Sequence, residues 1–380
     1  MNVLQVMGCH SNQYASMERY LVAKAKYLLK EDSVFSVIYE SRPKSKKFRE
    51  DFIDAGGRLY DVKLQNFYSF KAYRQIYKVI KENNIDIVHT YFTPACHYLN
   101  LYLSLRGFRN LVRTAANFPL TKGNNKKSLP PHLKLYFSLR QQCLSRLVRK
   151  ILCRSEGVRN QYRKLGVASK KLDVTSGGVD IDHYQILFKE RDEIRKKYDL
   201  NNNILILGTS CRLTPLKRID KLIKFMSELC TPDQEIKLYI AGDGPELDNL
   251  KDLVKRLKIE DTVEFLGHLE DLSELYSVFD VFCLPSEIEG MSNSVLEAMA
   301  CELPIIATDI LPNRELIDEG KGGYLISFKD NQEFQERIEK LLDKRIRRIM
   351  GKYNRHKVSS RFSLEKRIEK EFKIYKELYF

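Results

Sequence analysis

The sequence predicts an α/β protein of two doubly wound parallel-sheet domains that face each other across a cleft. Three observations lead there. The chain has 380 residues, long for one hydrophobic core when domains run to roughly 100–200 residues. Short runs rich in Val and Ile recur along it, continuous in hydrophobicity and not alternating, as strands buried on both faces require. Each run is followed by a longer stretch of helical pattern, the alternation of a sheet covered by crossover helices.

In chain order the strands of the first half are "NVLQVMG", "SVFSVIYE", "DIVHTYF", "NLVRTAAN", "KILCRSE" and "LDVTSGGV". Those of the second half are "NILILGTS", "IKLYIAGDG", "VEFLGHL", "VFCLPS", "PIIATD" and "GYLIS". Between them, "GGVDIDHYQILFKERDEIRKKYDLNNN" breaks the pattern with a glycine pair, a highly charged helix and an asparagine run. The expected domains are residues 1–185 and 186–361. Residues 362–380, with the amphipathic "SLEKRIEKEFKIYKELYF", belong to neither alternation. Such sheets bind ligands beyond the carboxyl ends of their strands, so residues that follow strands are the first candidates for chemistry.

The charge balance narrows the partners. A formal net charge of +15 with pI near 9.2 favours an acidic one: a phosphorylated ligand, an anionic membrane or nucleic acid. The eight cysteines form no C-x-x-C pair, against a zinc or redox site. Most fall in apolar runs, as reduced cysteines of a cytosolic protein do. The opening "MNVLQVMGCH" lacks the basic start and long apolar core of a secretory leader. The least charged stretch, "IVHTYFTPACHYLNLYLSL", is too polar to span a bilayer. A cytoplasmic protein is expected, able to touch the inner face of the membrane without crossing it.

Three post-strand stretches carry candidate chemistry. In "SEIEGMSNSVLEAMACELPIIATD", Glu289 precedes a helix expected from about Asn293 to Cys301, and Glu297 lies inside it. Eight residues of ideal helix span about 12 Å, so the two carboxylates are no close acid–base dyad. They are spaced to grip two ends of one elongated ligand, and the first-turn N–H groups between them favour an anion. Hydroxyls at each end and phosphate in the middle describe a nucleoside diphosphate sugar. The local alternative is a capping box of Ser294 and Glu297, with Glu289 an ordinary loop carboxylate.

In "GTSCRLTPLKRIDKLI", Arg212, Lys217 and Arg218 follow a strand. A forked guanidinium and a mobile ammonium suit a diphosphate, while a solvated basic loop is the alternative. In "IAGDGPELDNL", strand turns to helix through Gly242 and Gly244, with Pro245 suited to the first helical position. The third glycine of the dinucleotide fingerprint is missing, which weighs against a dehydrogenase.

In this order and spacing, these stretches with "VEFLGHL" resemble the C-terminal half of glycosyltransferase family 4: retaining, nucleotide-sugar-dependent enzymes of the GT-B fold. "NIDIVHTYF", "CRSEGVRNQYRKLGV" and "SGGVDIDHY" fit the same family's N-terminal half. The resemblance implies that Glu289 stands near the donor sugar and that Glu297 accepts hydrogen bonds from the ribose hydroxyls. It places the diphosphate on Arg212 and Lys217, and the sugar and phosphate against the backbone of Met291, Ser292 and Asn293. Gly242 and Gly244 join the donor-binding set. The terminal helix is implied to cross back to the first domain. No metal is expected, and the donor is of UDP or GDP type.

Departures from the family pattern fall mostly in the first half. Ala15 and Ser16 stand where a glycine pair commonly precedes a glutamate, here Glu18. Ala116 stands where a histidine contacts the donor sugar, with Asn117 beside it. His89 is a candidate for a nearby polar role or a satisfied strand-end histidine. Arg218 and Glu302 stand where glycine is frequent.

"KGNNKKSLPPHLKLYFSLRQQCLSRLVRK" has eight cations and no acidic residue. After Pro130 and Pro131, Leu133, Tyr136, Phe137, Cys143, Leu144, Leu147 and Val148 follow helical spacing, expected to pack on the sheet. Lys122, Lys126 and Lys127 are the expected contact with an anionic membrane or an acceptor phosphate. The function expected is sugar transfer to a glycan or lipid-linked acceptor in surface polysaccharide or lipopolysaccharide synthesis. The alternatives are a nucleotide-sugar epimerase of the same fold, and a non-catalytic protein binding anionic lipid or RNA. No aromatic-basic nucleic-acid motif supports RNA.

Overall fold

The computed structural model describes residues 1–63, 69–91, 94–116, 131–185, 191–197, 204–229 and 235–380. Lys122, Lys126, Lys127 and Asn117 lie outside the described residues. The chain forms two compact units, Met1–Gly178 with Leu364–Phe380, and Val179–Ser363. Their borders fall at 178/179 and 363/364, a few residues from the breaks in composition. Val179 and Ser363 form a parallel bridge, and the Val179 N–H donates to the Phe362 carbonyl at 2.9 Å, closing the second unit's two ends on each other.

The first unit holds β1 (Asn2–Val6), β2 (Val34–Tyr39), β3 (Arg58–Asp61), β4 (Ile87–Thr90), β5 (Leu111–Ala115), β6 (Lys150–Cys153) and β7 (Leu172–Val174). They pair in parallel in the order β3-β2-β1-β4-β5-β6-β7. The continuous apolar runs follow from burial on both faces. Val3 packs with the helix Ser16–Lys30, while Leu4 and Val6 point to the opposite face, with Ile76 and Leu99. β3 was absent from the expected strands. Its "RLYD" is charged at both ends and only partly buried at the sheet edge, so it carries no apolar run.

The second unit holds β8 (Leu205–Ser210), β9 (Ile236–Ala241), β10 (Val263–Gly267), β11 (Val281–Leu284), β12 (Ile305–Thr308) and β13 (Gly323–Ile326). All pair in parallel, in the order β10-β9-β8-β11-β12-β13. The winding direction reverses between β8 and β11. The crevice beyond the carboxyl ends of two such strands is where sheets of this type receive ligands.

The helix Leu364–Tyr379 belongs to the first unit, as the resemblance implied, and packs on Ser16–Lys30. Lys24 is fully buried. Its ammonium has three hydrogens to donate among four acceptors within reach: Glu371 Oε2 and the Tyr375 hydroxyl at 2.8 Å, the Tyr20 hydroxyl at 2.9 Å and Gln5 Oε1 at 3.0 Å. Arg367 Nε donates to the other Glu371 oxygen at 3.0 Å. A buried charge pair offsets its desolvation only when its remaining hydrogen-bonding groups are satisfied, and these bonds meet that condition.

His89 sits beside this network, with Nδ1 2.5 Å from the Tyr375 hydroxyl and Nε2 2.8 Å from Thr114 Oγ1. Both nitrogens are used internally, so His89 is the satisfied strand-end histidine.

The helix Pro131–Arg146 corrects one expectation. Of its predicted inward stripe, Phe137 and Leu144 are half-buried, and Val148 is buried just beyond the helix. Tyr136 and Cys143 face solvent. No helix among the described residues is long and apolar enough to cross a membrane.

Candidate functional site

The loops leaving β8 and β11 converge at the reversal of the second sheet. The Glu287 N–H, after β11, donates to the Leu216 carbonyl, after β8, at 2.9 Å. Lys217 closes a one-turn helix, Pro215–Lys217, and its Nζ lies 2.6 Å from Glu289 Oε1. The Glu289 side chain is 8% exposed and that of Lys217 23%, so the pair is largely withdrawn from water, with the lysine its more open member.

Arg218 follows in the left-handed region at φ +51°, which accounts for glycine being frequent there. Its guanidinium donates to both Asp220 oxygens at 3.0 and 3.1 Å and to Glu287 at 2.5 Å. Arg218 therefore clamps the two loops together. Arg212 is exposed, and no ion pair engages it among the described residues.

Ser292 caps the helix Asn293–Ala300, its Oγ accepting from the Val295 N–H at 3.4 Å. With the cap at Ser292, Glu297 lies beyond the first turn, and the capping-box alternative of Ser294 and Glu297 does not hold. Glu297 is buried, and its Oε2 accepts from the Tyr276 hydroxyl at 2.9 Å. Ser210, the last residue of β8, stands 2.7 Å from the same hydroxyl. With the tyrosine hydrogen given to Glu297, Ser210 is the donor there. Burial and then the Glu297 charge push the Tyr276 phenol well above its ordinary value, so it stays protonated and donating. Met291 and Ser292 are buried and Asn293 half-buried, on the segment that joins the two glutamates.

Gly242 and Gly244 owe their identity to packing between loops. A Cβ on Gly242, at φ +134°, would lie 1.9 Å from the Cys211 carbonyl oxygen, and one on Gly244 would lie 2.2 Å from that of Leu213. The Leu213 N–H donates to the Asp243 carbonyl at 2.9 Å, and the Glu246 N–H to the Leu213 carbonyl at 3.1 Å. The two glycines thus support the backbone that carries Arg212. Pro245 lies in a turn and the helix begins at Leu247, so the first-position expectation is corrected. Burial pushes the neighbouring Cys211 thiol up to about 12, against the pull of Lys217.

The first unit's counterpart is quieter. Glu18 reaches back to the Ala15 N–H at 3.3 Å and accepts from Ser11 at 2.7 Å, so it closes its own helix start. Ala116, half-buried, directly follows β5.

Sequence reasoning missed Tyr276, which lies in no quoted stretch, and Ser210, which lies in one but was not singled out. Glu287 stood within the quoted stretch, but only the fold shows its partner. Among the described residues no group of three or more His, Cys, Asp or Glu is arranged to hold a metal ion.

Comparison with known proteins agrees with this architecture. A profile described as Glycosyltransferase Family 4 matches residues 17–183, and one described as Glycosyl transferases group 1 matches residues 190–357. The Putative glycosyltransferase EpsD of Bacillus subtilis (strain 168) is 30% identical over 311 residues, covering 80% of each chain. The UDP-Gal:alpha-D-GlcNAc-diphosphoundecaprenol alpha-1,3-galactosyltransferase of Escherichia coli is 26% identical over 332 residues, covering 84% of each. Among solved structures, Anabaena Alr3699/HepE in complex with UDP-glucose matches with a TM-score of 0.81 at 19% identity, covering 99% of this chain and 100% of that one. That likeness is one of fold. With both halves matched in order, and two all-parallel sheets wound alike, the chain belongs to glycosyltransferase family 4 and has the GT-B fold.

Proposed function

We propose that the protein is a retaining transferase that moves a sugar from a nucleoside diphosphate donor to a hydroxyl of a glycan or lipid-linked acceptor, in the assembly of a surface polysaccharide or lipopolysaccharide. One observation carries the reading. At the reversal of the second sheet, a Lys217–Glu289 pair stands on the loops leaving β8 and β11, and a carboxylate held by Tyr276 stands on the helix that follows β11. The E. coli relative's name specifies a UDP-linked donor and a diphosphoundecaprenol-linked acceptor, and the Anabaena structure contains UDP-glucose. Both favour a uridine diphosphate donor and a lipid-linked acceptor here.

In this reading Glu297 accepts from the ribose hydroxyls, its orientation fixed by Tyr276. The backbone of Met291, Ser292 and Asn293 meets the sugar and phosphate. Arg212 and Lys217 meet the diphosphate, Lys217 exchanging part of its contact with Glu289 for a phosphate oxygen. As the bond from the sugar's anomeric carbon to the diphosphate breaks, its electron pair leaves on the phosphate oxygen. The two cations stabilise that charge without a metal. The acceptor oxygen bonds to the same face of the carbon, its proton passing to the departing phosphate. Configuration is thereby retained.

The test pairs two measurements. UDP, GDP and ADP are compared by thermal shift, since a ligand confined to the native state raises its melting temperature. Turnover is then measured with the donor so identified. Lys217→Ala is expected to lower kcat by roughly a hundredfold, and Glu297→Ala chiefly to weaken donor binding. Wild-type kinetics in both variants would remove the site assignment. Release of an altered sugar without acceptor would mark an epimerase instead.

A further inference from the structure

From Ile87 to Ser155 the chain contains twelve Lys and Arg and no Asp or Glu. The helices Pro94–Leu105 and Pro131–Arg146 fall in this stretch. They connect β4 to β5 and β5 to β6, neighbours added in one direction across the sheet. Right-handed crossovers therefore set both helices on the same face. The charge of Arg140, on the second helix, also bears on His97, on the first.

Each helix turns an apolar stripe outward. On the first it consists of Tyr98, Leu101 and Leu105, the last 79% exposed. On the second it consists of Leu135, Tyr136 and Leu139, exposed by 61, 58 and 53%, with Cys143 beyond them. The second helix meanwhile buries polar groups. Gln141 and Ser145 are buried, and Ser138 and Gln142 donate inward to the Leu165 carbonyl at 3.0 and 3.1 Å. Water-facing helices have the opposite arrangement. Where the two helices end, Arg109, Arg146, Arg149 and Lys171 line a cavity of ≈ 370 Å³ together with Ser104 and Phe108. None of the four cations has a carboxylate partner among the described residues.

We propose that this face docks on an anionic bilayer, its two apolar stripes entering the boundary between headgroups and acyl chains and its basic cavity receiving a lipid phosphate. Apolar side chains in a row, bordered by cations, are the pattern of a helix lying in a membrane interface. An acidic leaflet draws such cations to its surface. The charge selects this occupant. A second copy of the chain would set two cationic faces against each other, and nucleic acid would leave the leucines in water. The surface shares no residue with the donor site, and vesicle binding is measured without donor or acceptor, so failure of either reading is separately visible.

The experiment is flotation of the purified full chain with phosphatidylcholine vesicles, with and without phosphatidylglycerol. The protein is expected to float with the phosphatidylglycerol vesicles and to stay behind with phosphatidylcholine alone. Leu135→Glu with Leu139→Glu is expected to reduce the bound fraction by roughly tenfold. Arg109→Glu with Arg146→Glu should abolish the preference for phosphatidylglycerol. All four residues are exposed, and an unchanged melting temperature verifies that the variants fold. Equal binding to both vesicles, or wild-type flotation of both variants, would overturn the proposal. So would a dimer that Leu139→Glu disperses while no vesicle is bound.

Discussion

The Tyr276 hydroxyl donates to Glu297 across 2.9 Å, while Ser210 stands 2.7 Å from the same oxygen. One carboxylate is thereby oriented by two residues from other elements. Tyr276→Phe keeps the ring packed against Phe279 and Phe282 but removes the donor. Nucleotide affinity, measured by calorimetry, is expected to fall roughly fivefold, the worth of one hydrogen bond, with turnover at saturating donor little changed. An unchanged affinity would mean that Tyr276 does not set the orientation of Glu297.

Gly242 and Gly267 separate two kinds of glycine. A Cβ on Gly242 collides with the Cys211 carbonyl, whereas one on Gly267, at φ +66°, meets nothing within 4 Å. Gly267→Ala is therefore expected to cost only the left-handed penalty of about 1 kcal/mol. Gly242→Ala is expected to cost more than about 2 kcal/mol, because backbone must move. Urea unfolding of both variants gives the comparison.

Two non-glycine residues in left-handed geometry make a matched pair of opposite outcomes. Glu302, at φ +56°, makes no side-chain bond among the described residues, and Glu302→Gly is expected to stabilise by up to about 1 kcal/mol. Arg218, at φ +51°, holds Asp220 and Glu287. Arg218→Gly should show no such gain, because the relief of strain is offset by the lost clamp. Thermal denaturation of the two variants decides between them.

Burial holds His89 well below the ordinary 6.5, and lowers His97 to about 3 with the charges of Arg113 and Arg140 adding to it. Both are neutral in the folded chain, while the unfolded chain protonates them near 6.5. Stability from this source is complete above that value and is lost as pH falls toward the folded values. Arg113 Nη1 donates to His97 Nδ1 at 3.2 Å, an acceptor role glutamine can fill. From roughly pH 7.5 to 5.5, His97→Gln is expected to lose about 1 kcal/mol less stability than wild type, as read from denaturant midpoints at both pH values.

The two parallel sheets were legible because strands buried on both faces leave uninterrupted apolar runs. The edge strand Arg58–Asp61 was not, because a half-covered edge imposes no such pattern. Glu289, Glu297, Arg212 and Lys217 could be named from their place after strands. Their partners could not: Lys217 meets Glu289 across 72 positions and Tyr276 meets Glu297 across 21. The helix Pro131–Arg146 misled for a different reason. It carries apolar residues on more than one side, so spacing alone did not say which side faces the sheet.

The Lys24–Glu371 pair joins positions 347 residues apart within one unit. On the ribosome the first sheet would emerge with a buried ammonium whose counter-ion is not yet translated, and the whole second unit must be made in between. Its native interior is therefore completed only after that synthesis. A stalled or nicked chain ending before residue 371 would expose the groove of its missing helix, giving chaperones and proteases a marker of incomplete product.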